Sequence, residues 1–74
     1  MGKVTSFPHG WKVAFGRDDE VIVIYYNTKS GKITKTGGTP LSDITVGRDF
    51  QTAFATLLTG SWRKLSRSKW YRKE

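Results

Sequence analysis

Cysteine is absent from the 74 residues, so neither a disulfide framework nor a thiolate zinc site can hold the chain together. Histidine occurs once, at His9 between Pro8 and Gly10. A single imidazole makes no metal site, and with scattered acids it makes no nucleophile–base–orienter set. The acids number six against thirteen lysines and arginines. Asp18 and Asp19 are adjacent and read as turn formers, not as the separated carboxylates of a hydrolase. Gly37-Gly38 opens no Gly-Lys-Ser/Thr sequence, so it is a flexible corner and not a phosphate loop. These absences point away from an enzyme, a cofactor, a metal or a small-molecule substrate. The longest apolar run, residues 21–26, is far short of the ~20 residues of a membrane span. Residues 1–7 lack the apolar core of a signal peptide. The expectation is a soluble protein of the cytoplasm that does not contact membranes.

What is present is aromatic and basic. Three Trp, three Tyr and four Phe supply the packing that a staple-free chain needs, each burying about 150–250 Å² when enclosed. Residues 11–15 alternate, with Trp11, Val13 and Phe15 on one side and Lys12 and Ala14 on the other, which is the period of a strand. Gly16 to Asp19 then reads as a turn. Residues 21–26 are β-branched or aromatic throughout, as in a central strand buried on both faces. Asn27 to Gly31 forms a second turn, with Gly31 placed for positive φ. Residues 32–36 make a third strand, with Ile33 on one face and Lys32, Thr34 and Thr36 on the other. A loop follows from Gly37 to about Gly47, which Ile44 and Val46 pin to the core.

Phe50, Ala53, Phe54, Leu57 and Leu58 recur at i, i+3, i+4, i+7 and i+8, which is a helix with one apolar face. Asp49 is its expected N-cap, and Gly60 its expected left-handed stop. The fold expected is α+β: a three-stranded antiparallel meander packed on one helix, in the order β-β-β-α. Residues 1–60 form the compact domain, with Trp11, Val13, Phe15, Phe50, Phe54, Leu57 and Leu58 in its core. Residues 61–74 form a basic aromatic tail, helical or disordered.

The net charge of +7 is concentrated in that tail. Arg63, Lys64, Arg67, Lys69, Arg72 and Lys73 are opposed there by Glu74 alone. Trp62 and Leu65 share a helical face at i and i+3, and Trp62 is assigned to the core. Trp70 and Tyr71 stand among the charges, where cations neutralise phosphate and rings stack on bases, about 1–3 kcal/mol per base. Lys12, Lys32 and Lys35 form a second basic set on the sheet away from the helix. Phe7, His9 and Trp11 form a small apolar patch suited to a protein partner.

The run Phe7-Pro8-His9-Gly10-Trp11-Lys12, then Tyr25-Tyr26 and Ser30-Gly31-Lys32 ahead of a helix, is similar in order to methyl-CpG-binding domains. That resemblance implies a DNA-binding module of a small sheet and one helix. It departs where the family reads guanine with arginines, since this chain has Lys12-Val13 and Lys35 there. In kind, the chain resembles small phage-encoded regulators that bind host RNA polymerase. That resemblance implies a non-enzymatic transcription regulator in the host cytoplasm, docking on RNA polymerase or another acidic protein surface. Direct binding of DNA or RNA by the tail and the sheet lysines is the alternative.

Overall fold

A computed structural model describes residues 8–71, with side chains for residues 10–69. The chain is α+β, with strands β1 (Pro8–Arg17), β2 (Glu20–Asn27) and β3 (Ile33–Gly38), helix α1 (Phe50–Thr59), and strand β4 (Arg63–Tyr71). The four strands form one antiparallel sheet in the order β3-β2-β1-β4. The expected three-stranded meander is therefore one strand short. The segment expected to be a helical or disordered tail is β4, which pairs with β1 from Pro8↔Tyr71 to Gly16↔Arg63. Trp62 and Leu65 thus share no helical face.

One face of the sheet carries the core. Val13 and Phe15 of β1, Ile22, Ile24 and Tyr26 of β2, and Ile33 of β3 are buried against Ala53 and Leu57 of α1. Ile44 from the long loop and Trp62 from the α1–β4 connection close the cluster. Four rings interlock within it. Tyr26 stacks on Phe50 with centroids 4.0 Å apart, and Phe54 meets Phe15, Tyr26 and Phe50 edge-on at 5.2, 5.4 and 5.4 Å. Such offset and edge contacts suit the ring quadrupole and add to area burial. Leu58, expected in the core, is 59% exposed, whereas its neighbour Leu57 and Trp62 are buried. Val46 is exposed as well, leaving Ile44 to anchor the loop.

The other face of β2 is not enclosed. Val21 is exposed and Val23 and Tyr25 are half-buried, which corrects the expectation of a strand buried on both sides. A single helix covers only one side of a sheet, so the strand has one dry face. Two of the three register shifts in the ladders set which of these side chains share a face. In β3 the register shifts between Lys35↔Tyr25 and Ile33↔Tyr26. That shift places Ile33 and Thr36 on the helix side together, where strict alternation separates them. In β4 it shifts between Ala14↔Ser66 and Phe15↔Lys64, leaving Leu65 as the extra residue. Its side chain lies over Gly16, where a Cβ would stand 2.8 Å from Leu65 Cδ1. The absent Gly16 side chain is what lets Leu65 lie there.

Asp49 caps α1 as expected, its carboxylate accepting from the Thr52 amide at 3.1 Å. Gly31 has the expected positive φ, 72°. The other end of the helix differs. Gly60 has φ −86°, and the left-handed residue is Ser61 at φ 71°. The Ser61 amide donates to Leu58 O and the Trp62 amide to Leu57 O, at 3.2 and 3.0 Å. This is a Schellman stop with Trp62 and Leu57 making its apolar contact. A side chain at a left-handed position costs about 1–2 kcal/mol. After the extra chain entropy of glycine, Ser61→Gly is expected to stabilise the protein by about 0.5–1 kcal/mol. That would raise the thermal midpoint by about 2–8 °C; a lowered midpoint contradicts the assignment.

Candidate functional site

Pairing to β1 fixes the direction of each β4 side chain, because directly opposed residues of an antiparallel pair share a face. Lys64, Arg67 and Lys69 lie opposite Phe15, Val13 and Trp11, on the helix side. Arg63, Ser66 and Ser68 lie opposite Gly16, Ala14 and Lys12, on the uncovered side. The bulge at Leu65 separates Lys64 from Arg67 by three residues while keeping both on one face. Arg67 and Lys69 recur at the strand period, about 6.8 Å apart. One edge of the sheet therefore bears a line of three cations.

Trp11 holds part of that line. It is half-buried and packs against the core, with the Arg67 guanidinium 4.1 Å and the Lys69 ammonium 5.8 Å from its ring centroid. Cation–π contact over a partly desolvated tryptophan orients both cations without neutralising them. Among the described residues no carboxylate serves that purpose, since the one ion pair there is Arg17–Glu20 at 3.1 Å. Arg17 has a different task. Its guanidinium donates to Gly60 O at 3.1 Å and lies 4.6 Å over Trp62, bracing the α1–β4 connection.

Between α1 and β4 runs an open groove of about 330 Å³. Val13, Phe15 and Tyr26 line its base, Phe50, Phe54 and Leu58 the helix side, and Lys64 and Arg67 the strand side. The groove stays open along this flank, with Leu58 at its mouth exposed. Among the described residues, no group of three or more His, Asp or Glu could hold a metal, and no helix is long and apolar enough to cross a membrane.

Of the cations singled out from the sequence, Lys64, Arg67 and Lys69 come together. Arg63 lies on the same strand but the opposite face. Lys12 and Lys35 flank Tyr25 across the uncovered face, through Lys12↔Tyr25 and Tyr25↔Lys35, with Lys35 5.3 Å from the Tyr25 ring. Lys32 is not with them. It precedes β3 and bridges to Asp49 beside the start of α1. Trp70 and Tyr71 belong to β4, paired with Gly10 and Pro8. Arg72, Lys73 and Phe7 lie outside the described residues. Of the expected Phe7–His9–Trp11 patch, the side chains of Phe7 and His9 lie outside the described residues, and Trp11 packs against the core with Arg67 over its ring. Phe50, Phe54 and Leu58 were assigned only to the core, yet they form a wall of the groove. The signal that could have found it is the surplus of apolar residues on α1 over what half a small sheet can cover. No family model matches the chain, and neither a curated protein nor a solved structure matches it.

Proposed function

We propose that the chain is a non-enzymatic nucleic-acid-binding protein that holds a phosphate backbone along β4. The observation that carries this reading is the line Lys64, Arg67 and Lys69, three cations on one strand face with no acidic partner among the described residues. Unpaired cations at a sheet edge also discourage edge-to-edge association. That role alone does not need a tryptophan holding two of them in place beside an apolar groove. Phosphates met by oriented cations release counterions, which gives affinity without sequence readout. Lys12 and Lys35 add positive potential from the other face.

The test is a salt titration. Anisotropy of a labelled single-stranded oligonucleotide is expected to give a log–log slope between about −2 and −3.5, for three to five phosphate contacts. A flat response counts against the reading. If nuclease-treated lysate then yields RNA polymerase on the immobilised protein, β4 serves an acidic protein surface and the transcription regulator that docks on polymerase replaces it.

A further inference from the structure

A cation row explains attraction to any polyanion, but not why an apolar trench lies beside it. Buried ring systems usually end at a polar surface. Here Phe54 is half-buried and Leu58 is 59% exposed, on the flank of α1 that faces β4. Across the groove stand Lys64 and Arg67. An occupant that satisfies both sides has a flat apolar body and an anionic group close beside it. The volume of about 330 Å³ sits at the small end of ligand clefts, about 300–1,000 Å³. It admits a planar ring system and not a duplex.

We infer that the α1–β4 groove receives an unstacked base of a single-stranded nucleic acid, with the adjoining phosphates on Lys64 and Arg67. This rests on the nucleic-acid reading and adds a preference for single strands. The base meets Phe54 and Leu58 through its apolar surface, and its hydrogen-bonding edge remains at the open mouth of the groove. In a duplex each base is paired and stacked, so entry would require extrusion of a nucleotide. A single strand presents its bases freely, and contact with aromatic and apolar side chains tolerates all four. The groove lining apart from Lys64 and Arg67 is aromatic or aliphatic, so binding discriminates poorly among bases. A second copy of the chain is a poor occupant, since its β4 would bring like charges face to face.

The test compares three probes of equal length: an ordinary mixed-sequence single strand, the same strand with abasic sites throughout, and the corresponding duplex. The ordinary strand is expected to bind about tenfold tighter than the abasic one, the magnitude of one stacking contact, and tighter than the duplex. Leu58→Ser changes an exposed residue and no charge, so the variant keeps its fold and its phosphate contacts. It is expected to reduce the ordinary-strand affinity about fivefold and leave the abasic strand unchanged, with the Phe54 ring resonances no longer shifting on titration. Equal binding of ordinary and abasic strands overturns the base site and leaves the phosphate reading standing. Failure of every probe at low salt removes both. A peptide alternating glutamate and phenylalanine that shifts the Phe54 resonances, where the strands do not, overturns the base site in favour of a protein partner.

Discussion

Replacing Lys64, Arg67 and Lys69 together by glutamate is expected to reduce nucleic-acid affinity at least 100-fold at low salt and to flatten the salt slope by about 2. Contacts to charged groups contribute about 1.5–3 kcal/mol each in good geometry, and every 1.4 kcal/mol is a factor of ten. Loss of three such contacts therefore exceeds 100-fold even after solvent weakens each of them. The reversed charges also repel the strand. The three residues are exposed and have no acidic partner among the described residues, so the variant should fold. Net charge is the rival explanation, and it needs its own control. Lys29, Lys32 and Arg48 are equally exposed and lie near the start of α1, across the sheet from β4. Reversing those three changes the net charge by the same amount. If both triple variants lose binding equally, the attraction is a property of the whole molecule and β4 is no site.

A chain ending at Gly60 is expected not to fold. It lacks β4, which pairs with nearly the full length of β1, and it lacks Trp62, which is only 4% exposed in the core. At roughly 0.05–0.15 kcal/mol per residue, the stability available to a chain of this size is about 4–11 kcal/mol. Truncating a buried tryptophan to alanine alone costs about 3–5 kcal/mol. Loss of the β1–β4 ladder and of the ring's cation–π contact with Arg17 comes on top of that. Far-ultraviolet circular dichroism and a thermal melt decide the matter. A cooperative transition in the shortened chain would show that β4 is dispensable to the fold.

Most of the scaffold was legible because its signals are local. Alternation marked β1, the β-branched run marked β2, and the spacing from Phe50 to Leu57 marked α1 with Asp49 ahead of it. Gly31 could be assigned because a single turn demands its φ. The fourth strand was hidden by its own charges. Lys64, Arg67 and Lys69 occupy positions that face the helix side, where a strand normally shows apolar residues, so no hydrophobic alternation appears. The trace that remained is Ser66 and Ser68 alternating with Arg67 and Lys69. Density of cations outweighs it, and the segment reads as a basic aromatic tail, helical or disordered. Ser61 illustrates a different limit. A glycine one residue earlier drew the left-handed assignment, and which of two neighbours takes the positive φ depends on where Trp62 must land.

The groove was illegible for a third reason. Phe54 and Leu58 have the same helical spacing as Leu57, and only the packing of α1 against the sheet separates core from wall. That packing is a tertiary quantity, carried by contacts such as the Tyr26–Phe50 stack and the burial of Ile44 and Trp62 in one cluster.

The order β3-β2-β1-β4 places β1 and β4, the first and last described elements, side by side. Pro8 and Tyr71 cannot meet until everything between them exists, so the sheet's last ladder closes across almost the whole sequence. Contacts of such sequence separation slow folding. During synthesis the cations of β4 emerge after β1, β2, β3 and α1, and until they dock they have neither Trp11 beneath them nor a groove beside them. The nascent chain should therefore attract polyanions only in the loose manner of any basic peptide, and discrimination should arrive in a single step with completion of the sheet.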